Sequence, residues 1–220
     1  SPRSSEERPV QTRTLTGWLL TCGPIGMFLI WGVLQPLVIG SGATPTEALE
    51  QALANETLWV LFGILGSLSF ISLFVGLSLL SISLRGDGPS GNGFAAASTI
   101  MFTALAAVGM ANTGLTIAAV GAAKEHGVPA GVPIEVIGNS IGSGFGLFFG
   151  VAAILLGVTI AAQKAAPAVL GWLFALVGVV LFLGTFIPWD DTPVPIVAWL
   201  AMTITVVGIG ITTLRAKEAS

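Results

Sequence analysis

Charge is what this chain has least of. Only 9% of its 220 residues are Asp, Glu, Lys or Arg, against 54% hydrophobic, whereas soluble domains carry about 25% charged residues. A chain this poor in charge cannot cover a surface that faces water, so most of its solvent must be lipid; its mean hydropathy is +0.93. One cysteine, Cys22, excludes an internal disulfide and any C-x-x-C metal or redox motif. One histidine, His126, excludes a bis-histidine haem site built from this chain alone. Tyrosine is absent, which removes tyrosine proton relays and phenolic ligands. No lysine falls inside an apolar run, so retinal has no point of attachment. No nucleic-acid partner is expected.

What the sequence does contain is long apolar runs. A bilayer core needs about 20 mainly apolar residues in helical form. Six runs meet this: Gly17–Ile39, Leu58–Ser81, Phe94–Val120, Val136–Ala161, Ala166–Ile187 and Val194–Leu214. Helix is the natural form, because backbone groups must be paired within lipid and no alternating strand pattern is present. The third and fourth runs exceed the minimum, so they should tilt or project into the outer headgroup layer. The expected class is all-α, a polytopic integral membrane bundle of six transmembrane helices plus a short outer amphipathic helix. Residues 17–214 form the bundle, 1–16 a polar cytoplasmic segment and 215–220 a cytoplasmic tail.

Orientation follows from lysine and arginine. Arg3, Arg8, Arg13, Arg85, Lys164, Arg215 and Lys217 all fall on one side if both termini are cytoplasmic, and only Lys124 falls on the other. The expected location is therefore the cell membrane, with N- and C-termini inside. Glu47, Glu50, Glu56, Glu125, Glu135, Asp190 and Asp191 map to the outer face. That face reads either as a hydrated surface or as a vestibule that concentrates cations.

Thr44-Pro45-Thr46-Glu47 is a capping box, with threonine at the N-cap, proline first and glutamate third. It predicts a short amphipathic helix over Pro45–Asn55, lying on the outer membrane surface or leading into the second span. Trp18, Trp59 and Trp189 sit near span ends, as an interfacial belt requires, whereas Trp31, Trp172 and Trp199 lie further in. Thr21-Cys22-Gly23-Pro24 predicts a kink in the first span.

The stretch "EVIGNSIGSGFGLFFG" admits two readings. Gly138-Asn139-Ser140-Ile141-Gly142 has the G-x-S-x-G spacing of a nucleophile elbow. An elbow needs a strand-to-helix turn, and no sheet signal is present. A rhomboid-type serine would need glycine after it and a histidine on the sixth helix; Ile141 follows Ser140, and the sixth span has no histidine. His126 beside Glu125 reads as a solvated loop residue rather than a metal ligand. Gly142-Ser143-Gly144-Phe145-Gly146 lacks the spacing of a nucleotide loop and follows no strand.

The second reading is a packing ridge. Gly138, Gly142, Gly146 and Gly150 recur every four residues, and a face without side chains admits a neighbouring helix closely. The third span is its expected partner, through Ala107, Ala111, Gly114 and Ala118, with Asn112 and Thr113 able to hydrogen-bond across. A candidate polar cluster gathers towards the outer leaflet from Gln35, Asn112, Glu135, Asn139, Ser140, Asp190 and Asp191. No catalytic, metal or cofactor residue is assigned.

The stretches "EALEQALANETLW", "GFGLFFGVAAILLGVTIA" and "APAVLGWLFALVGVVLFLG" resemble a bacterial and archaeal six-helix family, domain of unknown function 4386. The resemblance implies an integral membrane protein and brings no catalytic residues with it. Two function classes stay open: a membrane binding or accessory protein holding a lipid, another apolar molecule or a partner subunit, and a small cation or solute transporter or channel with an acidic outer vestibule. The first is favoured, because the charges lie at span ends and the mid-span residues are mostly Ala, Gly, Leu, Val, Ser and Thr, whereas transporters place polar groups at the midplane.

Overall fold

The computed structural model describes residues 7–40, 42, 44–86, 92–187 and 192–215, and all of its regular structure is helical. The elements are α1 (Glu7–Met27), a π-helical segment (Phe28–Leu34), α2 (Gln35–Val38), α3 (Pro45–Ala54), α4 (Glu56–Ser83), α5 (Asn92–His126), α6 (Val128–Gln163), α7 (Ala168–Gly184) and α8 (Val194–Arg215). Five stretches are long and apolar enough to cross a bilayer: Thr12–Val38, Glu56–Ser83, Gly93–His126, Val128–Gln163 and Val194–Arg215. The fifth expected span is α7, whose 17 helical residues give roughly 26 Å, a little short of a bilayer core of about 30 Å. Beyond it, Phe186 and Ile187 continue with turn bonds to the Leu183 carbonyl.

The long helices form a ring in chain order. α1 packs on α4, α4 on α5, α5 on α6, α6 on α7, α7 on α8, and α8 returns to α1. The ring's outward face is apolar at mid-helix, with Leu68, Ile100, Leu176 and Ile204 all exposed. Its interior is one cluster drawn from all six helices, including Leu20, Leu77, Phe102, Leu156, Phe174 and Val206.

Lipid tails are as apolar as leucine, so burial alone does not hold such helices together and close packing must. Glycine supplies it at three seams. Between α6 and α7, a Cβ on Gly150 would lie 2.7 Å from the Gly178 carbonyl oxygen, and one on Gly178 would lie 2.7 Å from the Gly150 oxygen. Two turns further in, Gly157 and Gly171 oppose each other equally closely, at 2.5 and 2.7 Å. Between α1 and α8, a Cβ on Gly210 would come within 3.0 Å of the Gly17 oxygen. Between α1 and α4, a Cβ on Gly23 would meet the Leu73 nitrogen at 2.6 Å. Gly23 is thus a contact residue rather than a source of freedom at a kink. The irregularity expected near Pro24 takes the form of the π segment, which begins four residues later while Pro24 stays within α1.

Hydroxyl pairs join α4 to α5, with Ser67 Oγ 3.1 Å from Thr113 Oγ1 and Ser78 Oγ 3.3 Å from Thr103 Oγ1. Thr113 therefore bonds to α4, not across to α6. A group of phenylalanines fills the middle: Phe74 meets Phe145 and Phe149 edge-on at 5.4 and 5.8 Å, and Phe149 meets Phe174 at 6.2 Å. Such edge contacts add about 0.5–1.5 kcal/mol each beyond burial.

The α5 and α6 helices, 35 and 36 residues long, measure about 52–54 Å. They turn at Gly127, whose φ of +89° is one that side chains rarely adopt. The α3 helix starts as expected, with the Glu47 amide donating to Thr44 Oγ1 at 3.2 Å. Its apolar face is covered by protein: Leu49 and Ala52 are buried against Ala119, Val120 and Ala123 of α5, with Val128 and Val132 of α6 alongside. Gly131 makes room, since a Cβ there would meet the Ala119 carbonyl and, at 3.1 Å, Leu49. Of the two expected placements, α3 has the one that leads into the second span, with only Asn55 between it and α4, and its apolar face covers the α5–α6 hairpin.

Candidate functional site

The four-residue glycine period does not make one contact. Gly138 faces α5, where its Cβ would lie 3.2 Å from Asn112 Oδ1. Gly142 has nothing within 4 Å, and Gly146 and Gly150 face Thr185, Leu181 and Gly178 at the α7 side. A four-residue step overshoots a 3.6-residue turn by about 40°, so across three steps the ridge rotates by roughly 120°. Ala107, Ala111, Gly114 and Ala118, expected to receive it, are all exposed. The signal that marks the real seam is the seven-residue spacing of Gly150 and Gly157 on α6 and of Gly171 and Gly178 on α7, which drifts by only about 20° per repeat.

Gly142 borders a cavity of about 270 Å³ that lies within the ring, in the half away from the start of α1. Its walls come from α1 (Met27), α4 (Phe70, Phe74), α6 (Phe145, Phe149), α7 (Leu181) and α8 (Trp199, Met202). Among the described residues, Thr185 has the only hydroxyl or amide side chain in its lining, and none of those lining residues is charged. At one end lie Gly184, Thr185, Val194 and Pro195. At the other the ring is solid: Leu20, Leu77, Leu156, Ile160, Phe174, Val206 and Ile209 are at most 1% exposed.

The candidate polar cluster is divided. Gln35 and Glu135 both line a second cavity of about 250 Å³ that also takes in Gln51, Trp59 and Thr116. Gln51 comes from α3 and was not anticipated. Asn112 lies one turn from Thr116, over Gly138, and its Oδ1 is buried without a hydrogen-bond partner. Asn139 and Ser140 are exposed, and Ser140 Oγ donates to the Val136 carbonyl at 2.8 Å. Asp190 and Asp191 lie outside the described residues, as do Trp189, Arg3 and Lys217.

The basic residues also sort by end. Arg13, Arg85, Lys164 and Arg215 stand at the ring's α1-start end, where Gln163 Nε2 donates to the Leu84 carbonyl at 3.0 Å. At the opposite end Lys124 is engaged by Glu56, with Nζ 2.6 Å from Oε1. His126 Nε2 lies 3.8 Å from Glu125 Oε2, both largely exposed. Among the described residues no three His, Cys, Asp or Glu side chains gather as a metal site would require. No family model matches the chain, and no curated protein or solved structure matches it either.

Proposed function

We propose that this chain is an integral membrane protein of six spans, both termini cytoplasmic, that holds an apolar molecule in the cavity between α1, α4, α6, α7 and α8. The cavity's chemistry carries the reading: among the described residues its walls are aromatic and aliphatic, with no charged side chain and a hydroxyl only at the Thr185 end. An engineered cavity of about 150 Å³ holds benzene and drug-sized sites start near 300 Å³. At about 270 Å³ this one suits a segment of acyl chain or a molecule of similar bulk. The basic residues at one end support a cytoplasmic assignment for that end, and pairing with Glu56 accounts for the one exception, Lys124. The apolar run Ala166–Ile187 supports counting α7 as a span that meets the bilayer with its flanking turns. A place in the six-helix family named above fits this reading and assigns no residue a role.

The transporter alternative fares worse on the same geometry. A pathway would have to continue through the solid inner half of the ring, and among the described residues no ionisable group lines the cavity from which it would start. The test is native mass spectrometry of the protein in detergent, for the wild type and Gly142→Leu. A Cβ at 142 meets nothing within 4 Å, so leucine should enter the cavity with no loss of thermal stability. The expected result is a co-purifying apolar molecule, one per chain, that the variant loses. Equal occupancy in both proteins, or an empty wild type, refutes the reading; cation flux in proteoliposomes would restore the alternative.

A further inference from the structure

The second cavity has a different chemistry. It lies above the first, under α3, between the end of the π segment and the starts of α4 and α6. Glu135 is half-buried in its wall, and among the described residues no lysine, arginine or histidine lines it. The nearby cation at this end, Lys124, is engaged by Glu56. Gln35 reaches the same cavity from just beyond the π segment and Gln51 from α3, where its carboxamide lies against Gly40. Among the described residues the side chains of Gln35, Gln51 and Glu135 make no hydrogen bond or ion pair. Thr116 adds a hydroxyl and Trp59 an indole, while Ile39, Leu49, Ala52 and Val120 form the apolar part of the wall.

We propose that this cavity is a binding site for an alkylammonium group, held by the Glu135 carboxylate with the carboxamide oxygens of Gln35 and Gln51. A carboxylate partly withdrawn from water without a counter-charge carries a desolvation cost, and a cation offsets it. A primary ammonium has three N–H donors and no acceptor, which suits a wall offering carboxylate, amide and hydroxyl oxygens. Trp59, in the same wall, brings an indole, the ring system that attracts cations best. An anion would find no positive partner here. Calcium takes six to eight oxygens and magnesium a near-ideal octahedron, whereas this wall offers a single carboxylate, and the cavity of about 250 Å³ exceeds what a bare ion fills. The same ammonium could arrive as a phosphatidylethanolamine headgroup or as a free amine. The site does not depend on the apolar cavity being occupied.

Two measurements on the full chain separate the sources. In nanodiscs of equal phosphatidylethanolamine and phosphatidylglycerol, native mass spectrometry reads which lipid the protein retains. In detergent without lipid, titration calorimetry reads binding of ethanolamine hydrochloride. Glu135→Gln keeps the shape and removes the charge; Gln35→Leu removes one acceptor and serves if the first variant misfolds. We expect at least tenfold weaker retention or binding in Glu135→Gln and a smaller loss in Gln35→Leu, with phosphatidylglycerol unaffected. Loss in the nanodisc arm alone identifies the headgroup; loss in the calorimetric arm identifies the free amine. Neither ligand binding the wild type, or binding indifferent to both variants, overturns the assignment.

Discussion

Adding one methyl group to Gly157 should force α6 and α7 apart. Its Cβ would lie 2.5 Å from the Gly171 oxygen and 2.6 Å from the Ala175 nitrogen, where ordinary contacts begin at 3.4 Å. Both obstacles are backbone, so no side chain can swing away. The helices would have to separate by about 1 Å, and a gap of that size forfeits up to about half of each dispersion contact along the seam. Overpacking of this kind costs about 1–3 kcal/mol. Alanine also favours helix over glycine by about 1 kcal/mol, which would mask part of the loss. Gly114→Ala isolates that term, because a Cβ at 114 meets nothing within 4 Å. The expected readout, from thermal or SDS-induced unfolding in micelles, is Gly157→Ala less stable than Gly114→Ala by about 1–3 kcal/mol. Gly171→Ala should behave alike, and the double variant should lose less than the sum, since one separation relieves both clashes. If Gly157→Ala matches Gly114→Ala, the close backbone contact does not exist.

Three other outcomes follow from the same geometry. Leu49→Ala removes the buried anchor of α3, a change worth about 2–5 kcal/mol in a core; because α3 can undock alone, we expect faster amide exchange over Pro45–Ala54 with little change in bundle unfolding, and a large drop in global stability would show that α3 belongs to the cooperative core. Glu56→Gln should cost under about 1 kcal/mol, shrinking with salt, since the pair with Lys124 is roughly half exposed; a larger, salt-insensitive loss would contradict a surface ion pair. On a Cys22→Ser background, an impermeant maleimide applied to whole cells should label Glu125→Cys and leave Gly86→Cys untouched; the reverse pattern inverts the orientation.

Much of the architecture was legible because it is local. Whether Glu56–Ser83 or Val194–Arg215 forms a helix that lipid can solvate depends on its own residues, as does the cap at Thr44, whose partner amide is three residues away. The sorting of basic residues to one end needs only an even number of crossings. The α7 helix was the exception: its 17 helical residues are fewer than its apolar run, because the run also includes turn residues at each end.

Which helix meets which was not local, and there the sequence alone misled. Gly138, Gly142, Gly146 and Gly150 look like one ridge, yet the helix turns under them, so they face α5, open space and α7 in succession. Apolar periodicity cannot choose among neighbours when the long helices are apolar on all sides through their middles and lipid competes equally for each face. The ring order chose, and with it the cavity beside Gly142 and the placing of Glu135 of α6 on one wall with Gln35 and Gln51 of the neighbouring elements α2 and α3. A carboxylate and two carboxamides carry no spacing signal across such separations. Only the closure of the bundle brings them to one wall.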